Sequence, residues 1–395
     1  KLVSRERYDH GRDTLEVQEL SATASLFRLV AAGRIEEFSG RQLAELSGEV
    51  DYDWADVSTK LSGFLGKAVQ ITGRDKGRFA LQGPLREAVA KVGLAPVPVR
   101  SSEQPPAEFR LVSATGTSAT GGVLVPAALA GSARCGWESG SLYGLLIGKG
   151  ELKAALGGGV LQFAPLQVPV SEGRFQAVSR IELNAAPMRL LVDKGQLIDN
   201  VRISPELCHT WLKYVAPLLA DATRAEGRFS VMLDGAKVPL TDTDKSDVHG
   251  QLTIHSAQVG PGPLAQEFLA LAQQVKTILE GRASPNGQNA ASNWLMIPEQ
   301  TVRVDVQDGR VHHQGLTMTA GDVLIRTSGS VGLDESLAIM AEVPIRDEWV
   351  TNKKYLASLR GTTIQIPLQG TLSKPRLDNR MLRELSARMI GGAAR

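Results

Sequence analysis

The alternation of apolar and polar residues toward the C-terminus constrains this chain more than any other feature. From Gly321 to Asp378 it reads GDVLIRTSGSVGLDESLAIMAEVPIRDEWVTNKKYLASLRGTTIQIPLQGTLSKPRLD. Val323, Ile325, Thr327, Val331 and Leu333 fall on one parity. Leu337, Ile339, Ala341, Val343 and Ile345 do the same after a turn at Asp334–Ser336, and Thr362, Ile364, Ile366, Leu368 and Leu372 repeat the pattern. Successive side chains of a strand point to opposite faces, so each segment has an apolar face and a more polar one. One short helical candidate, Asp347–Leu359, interrupts the series. Three strands with an apolar face need a cover, and the rest of the chain must supply it or leave the face open.

A chain of 395 residues, 43% hydrophobic and 22% charged, is ordinary globular material that can bury a sizeable core. Its 40 glycines and 5% aromatics fit many turns around a core of Val, Ile, Leu and Ala. A net charge of +2 with no basic face argues against a nucleic-acid partner. No run of about 18 apolar residues is present, so no segment reads as a membrane-spanning helix. The chain opens at Lys1, which fits a piece from which a signal or anchor has been removed. Two cysteines make no disulfide framework in a chain this long. Cys208 reads as a small buried residue of a helix and Cys135 as part of a Gly/Ser-rich loop; a bond between them stays open.

Read in order, residues 1–94 form a β-meander with one short helix, Val57–Lys67, for which Asp56 is the N-cap candidate. Residues 95–107, APVPVRSSEQPPA, form a linker candidate, since four prolines cannot serve a central strand. Residues 108–280 are β-rich with two amphipathic helices. Pro205–Ala222 carries Trp211, Tyr214, Val215, Leu218 and Leu219 at helical spacing; Pro263–Leu279 carries Leu264, Phe268, Leu271, Val275 and Leu279. We expect both to pack on the edges or ends of a sheet. Residues 281–378 form the C-terminal β segment, with a hairpin at Asp308-Gly309, and residues 379–395 close the chain within a terminal helix, Asp378–Ile390. GRFALQG at Gly77–Gly83 and GRFSVML at Gly227–Leu233 each follow a helix and form a faint repeat. About five helices against about twenty strands exclude a doubly wound fold, which needs about one helix per strand. The fold class is therefore mainly β, a long antiparallel sheet with a few short helices.

No catalytic or metal-binding constellation stands out. There is no GxSxG. His312 and His313 are adjacent on a strand and point to opposite faces, as exposed hairpin residues. His249 and His255 lie about 20 Å apart on an extended strand, too far for one metal. Gly157-Gly158-Gly159 lacks the Lys-Ser/Thr of a phosphate loop and reads as a turn. TDTDKSD lacks the glycine and distal glutamate of a calcium loop and reads as a solvated hairpin tip. No cofactor is expected.

The C-terminal stretch resembles the AsmA-like family, which includes TamB-like envelope proteins. The resemblance rests on GSVGLDESLAIMAEVPI, a short amphipathic segment, and then TTIQIPLQGTLSKPRLD. The closing pattern uses Pro367, Leu368, Gly370, Thr371, Leu372, Pro375 and Asp378. It is clear over Val302 to Asp378 and compositional upstream, and the family's N-terminal transmembrane anchor is missing from this sequence. The resemblance implies a sheet curled into an open U-shaped groove that carries acyl chains between membranes in the bacterial periplasm and envelope. It implies phospholipid or another acyl lipid as partner, and membrane attachment through a segment outside this sequence.

Two functions compete on these residues. The first is a non-enzymatic lipid-binding or lipid-transfer protein whose groove is lined by Val323, Ile325, Val331, Leu333, Leu337, Ile339, Val343, Ile364, Ile366 and Leu368. The second is a structural or adhesive β protein whose apolar faces pack together dry. An enzyme is a distant third, because no reactive site is present.

Overall fold

The computed structural model describes residues 1–65, 69–86, 125–220, 222, 224–260, 262, 264–266, 270, 294–321, 323–347 and 361–377. Within them, 25 strands form one sheet, mainly β as the alternation predicts. Strands β1 (Leu2–Asp9), β2 (Thr14–Thr23), β3 (Phe27–Glu36) and β4 (Leu43–Asp53) meander as antiparallel neighbours.

From β5 to β16 each pass across the sheet is made by two strands end to end. β5 (Val69–Thr72) and β6 (Arg74–Pro84) lie beside β7 (Ala130–Trp137) and β8 (Ser139–Leu142), with β6 on β4 and β7, and β5 on β8. The next passes are β9 (Leu145–Ile147) with β10 (Gly150–Gly157), and β11 (Val160–Phe163) with β12 (Leu166–Val170). β13 (Gly173–Ala177) with β14 (Ser179–Glu182), and β15 (Arg189–Val192) with β16 (Gly195–Arg202), follow. Both halves meet on one 16-residue strand, β17 (Arg224–Pro239), which pairs β15 near one end and β16 toward the other.

The C-terminal part continues through β18 (Asp247–Gly260), β19 (Leu295–Ile297) with β20 (Gln300–Gln307), and β21 (Arg310–Ala320). β22 (Val323–Gly332), β23 (Ser336–Pro344), β24 (Thr363–Thr371) and β25 (Pro375–Leu377) complete it. Asp308 (φ 49°) and Gly309 (φ 68°) form the expected hairpin turn, and Gly158 (φ 60°) and Gly159 (φ 72°) another; two positive φ values in sequence are what a tight right-twisted hairpin requires.

The breaks fall in short runs. Glu138 faces Gly148-Lys149; Ala164-Pro165 faces Val178, which faces Asp193-Lys194 and through it the Leu233/Gly235 shift of β17; Pro298-Glu299 lies apart, opposite the His255-Ser256 part of β18. An extra residue in one strand bends it and raises its twist, so each run creases the strands it crosses.

Helix α1 (Trp54–Leu65) sits against β5, and its cap is Asp53, whose carboxylate accepts from the Ala55 N–H at 2.9 Å, rather than Asp56. The helix expected over Pro205–Ala222 is in pieces. It comprises α2 (Pro205–Leu207), a π turn (Cys208–Leu212), α3 (Lys213–Val215) and a 3₁₀ turn (Pro217–Leu219). Ser204 caps α2, its Oγ accepting from the Leu207 N–H at 3.2 Å. Pro217 has no N–H to continue the helix, and the Thr210 hydroxyl donates to the Glu206 carbonyl at 2.9 Å, competing with the backbone ladder.

This segment does not sit at a sheet edge. It crosses the inner face of the sheet, with Leu207, Leu212, Leu218 and Leu219 buried in one core with Phe229, Ile254, Ile325 and Ile366. Trp211 packs edge-on against Phe229, ring centroids 5.3 Å apart. Truncating Trp211 to Ala is expected to cost about 3 kcal/mol in a urea titration, since the ring is partly buried and its cavity cannot collapse fully against the sheet.

Two further expectations change, and others are untested. Cys135 lies in β7 rather than in a loop, and both it and Cys208 are free thiols. His313 is buried, not exposed, because it faces the core side of β21 while His312 faces out. The linker candidate 95–107, helix candidates Asp347–Leu359 and Asp378–Ile390, and most of Pro263–Leu279 lie outside the described residues.

Candidate functional site: the two halves of the inner face

Cross-strand register carries one apolar face over most of the sheet. In the N-terminal half Val17 lies opposite Gly33, Gly33 opposite Leu46, and Leu46 opposite Leu81. The row continues through Gly131, Leu156, Leu161, Ile181 and Leu190 to Val238. Directly opposed residues share a face, so these side chains point the same way. A second row starts at Val192 and runs through Ala236, Val248, Val306, Val311 and Val331 to Leu337.

The two halves differ in cover. On β2 to β11 the inner residues Leu15, Leu29, Leu46, Phe79, Leu81 and Leu156 are all partly exposed. Val17, Ala31 and Ala44 are the buried apolar positions of β1 to β4. The opposite face is charged and paired across strands: Arg34 with Glu45 at 2.8 Å, Arg78 with Glu49 at 3.0 Å, Arg134 with Glu151 at 3.2 Å. Among the described residues the apolar face is thus only partly buried. Phe79 lies over Gly48, where an added Cβ would meet the ring and the Val30 carbonyl. At one end of this trough Tyr52 and Trp54 stack edge-on, centroids 5.5 Å apart. The Trp54 Nε1–H donates to the Gly136 carbonyl at 2.6 Å, and the Gly136 N–H donates to the Tyr52 hydroxyl at 2.8 Å.

The candidate residues read from the sequence lie in the other half. Val331 faces Val311 and Leu337; Ile339 faces Leu368; Val343 faces Ile364; Ile366 faces Ala341. Val323 and Ile325 lie opposite Ala320 and Met318. All of these are buried, at 0–7% exposure, in the core beneath the Pro205–Leu219 segment. Leu333 is the exception at 39% exposure. β22 ends at Gly332, so its alternation no longer applies and Leu333 turns outward in the hairpin. The alternation had marked the face correctly at the other positions. What it missed is the N-terminal trough, for which the apolar-charged alternation of LAELSGEVDYD at Leu43–Asp53 was the available signal.

Electrostatics on this face favour neutral groups. Burial pushes the Tyr52 hydroxyl up to about 12 and the Cys208 thiol up to about 12, and raises Cys135. Neither cysteine is a thiolate nucleophile at neutral pH. Among the described residues no group of three His, Cys, Asp or Glu could hold a metal ion. His249 sits between Asp305 (2.7 Å) and Asp247 (2.8 Å) at the sheet surface, and the Asp305 hydrogen bond raises its pKa.

His313 carries a pH prediction. Its Nε2 lies 3.2 Å from the Thr327 hydroxyl, and burial, aided by neighbouring His312, pushes its pKa down to about 4. An unfolded histidine titrates near 6.5. Between those values the unfolded chain binds more protons, so the contribution is complete above about pH 6.5 and lost as pH falls through 4. The shift corresponds to about 3 kcal/mol. His249 works in the opposite sense, its contribution fading as pH rises, but near the surface it is worth little. Urea titrations at pH 7 and pH 5 are expected to show a stability loss that a His313→Leu variant lacks for the most part.

Comparison of the chain with family models, with curated proteins and with solved structures finds no match.

Proposed function

We propose that this chain is a non-enzymatic acyl-lipid-binding protein of the bacterial cell envelope. It holds phospholipid or a similar lipid on the inner face of its sheet and passes it between membranes. The single observation that carries the reading is the apolar trough on β2 to β11, left partly exposed among the described residues and backed by a face of cross-strand ion pairs. Monomeric soluble proteins rarely leave a large apolar surface to water, so a face of this kind calls for an apolar occupant. Hydrocarbon suits it, since the face presents rows of aliphatic side chains and neutral aromatic ends. The resemblance of the Val302–Asp378 motif to AsmA-like proteins supports the same reading and the periplasm as its place.

The structural alternative, a dry β core, fits the C-terminal half, where the candidate residues other than Leu333 are buried. We assign that half to holding the fold together and the N-terminal half to ligand. The test is lipid extraction and native mass spectrometry of protein purified without detergent. Bound phospholipid, or uptake of a fluorescent fatty acid by stripped protein, is the expected result. Protein that is lipid-free and takes up no fatty acid overturns the reading.

A further inference from the structure

We propose that the Pro205–Leu219 segment is a displaceable stopper, occupying the C-terminal inner face in place of acyl chain and exposing a second acyl compartment when it lifts. The inference rests on the acyl-lipid reading above. It begins with where the segment lies. One end meets the β8–β9 hairpin tip, where the Thr210 hydroxyl donates to the Tyr143 carbonyl at 2.6 Å. The middle lies on Phe229 through Trp211. Its α3 turn approaches β21 and β22, and Lys213 Nζ reaches Glu335 Oε1 in the β22–β23 turn at 2.6 Å. The segment is therefore a bar that bridges the β8–β9 tip and the β22–β23 turn.

Its construction suits release. The helical pieces are three to five residues long, below the length at which a helix holds itself together, so the bar keeps its shape only through packing. A π turn lies at its centre, an irregularity that recurs at functional positions. Toward β22 its described fastening is the Lys213–Glu335 ion pair, with the Lys213 side chain 15% exposed and its ammonium 5.2 Å from the Tyr214 ring centroid.

The closed arrangement also carries a standing cost. Trp211 Nε1 in the bar and His313 Nδ1 on β21 are buried and have no hydrogen-bond partner. A buried polar atom left unpaired is unfavourable, whereas the rest of this core is well packed. Lifting the bar lets both atoms meet water or the polar end of a lipid. The surface beneath is the apolar core of Phe229, Ile254, Leu316 and Ile325. The row from Val192 to Leu337 joins it at Val331 and Leu337 and is aligned with the open trough by register, so a hydrocarbon chain advancing along the sheet meets no charged step on that row.

The experiment weakens the fastening and then restores it. In Glu335→Lys two ammonium groups face each other; the double variant Lys213→Glu, Glu335→Lys rebuilds the pair reversed. Stripped protein is titrated with a fluorescent fatty acid, and amide exchange of residues 205–219 is followed by mass spectrometry. Glu335→Lys is expected to bind at least one further equivalent at saturation and to exchange faster over 205–219, and the double variant to return to wild-type behaviour. In the wild type, exchange of this segment is expected to quicken on fatty-acid loading. A folded Glu335→Lys with wild-type capacity and exchange overturns the stopper and leaves the acyl reading standing. If that variant fails to fold, unchanged wild-type exchange on loading overturns it. A wild type that takes up no fatty acid sinks the acyl reading itself.

Discussion

An Ile366→Asp substitution is expected to unfold the C-terminal half of the sheet. Ile366 lies in the middle of β24 with 0% exposure, opposite Ala341 and inside the core that the Pro205–Leu219 segment closes. A carboxylate there has neither water nor a partner. It either stays charged at a high desolvation cost or takes up a proton and still lacks a hydrogen bond. Several kcal/mol are lost in both cases, a large share of the ~5–15 kcal/mol by which domains are stable. Thermal unfolding by circular dichroism and limited proteolysis read the effect. The control is Gln369→Asp, exposed on the other face of the same strand and opposite Arg376, which is expected to stay within about 0.5 kcal/mol of wild type. A folded Ile366→Asp with an unchanged melting temperature would mean that water reaches this face and that the core is not dry.

Leu81→Asp, in the trough, is expected to behave in the opposite way. Leu81 stands between Leu46 and Gly131 and is only partly buried, so an aspartate there can turn its carboxylate to water. The fold is expected to survive with a loss of about 1 kcal/mol, roughly half the transfer energy of a fully buried leucine. Acyl binding is expected to fall by more than tenfold, because a charge against hydrocarbon costs more than the ~1.4 kcal/mol that a factor of ten represents. A fluorescent fatty-acid titration measures it. Ala80→Asp, one residue along and facing Ser47 and Ser132 on the outer side, is expected to bind as wild type does. Equal affinity in Leu81→Asp and wild type would remove the trough as the binding surface.

The strands were legible because side-chain parity is written residue by residue, and both Asp308-Gly309 and the triple glycine announced their turns. The apolar face of the C-terminal half was legible for the same reason at Val323, Ile325, Val331 and the strands after them. Leu333 escaped because parity says nothing about where a strand stops. The creases were not legible at all: Glu138, Lys149 and Val178 are ordinary residues, and a break shows only when neighbouring passes are laid side by side. The broken helix escaped because Trp211, Leu212, Val215 and Leu219 keep an approximate helical spacing through the irregular turns. Its placement on the face decided which half of the sheet is covered, and that depends on contacts between residues far apart in sequence, such as Lys213 with Glu335. Cys135 looked like a loop residue because small residues surround it, yet Gly131 and Ala133 are there to stand opposite Leu81 and Phe79.

The meander has a kinetic consequence. Almost every pass pairs with the pass before and after it in the chain, so most contacts close short loops, and the entropy spent per contact is small for so large a β protein. The largest excursion between paired strands lies between β5 and β8, which pair although residues 73–138 separate them. Such a molecule behaves as a one-dimensional array, in which each pass is stabilised by its neighbours and structure can spread from any nucleus. Growth from the β17–β18 ladder, the longest pairing in the sheet, builds the covered half first. The N-terminal passes are then expected to add last and open first, so the surface proposed for ligand is expected to be the part of the molecule that breathes most.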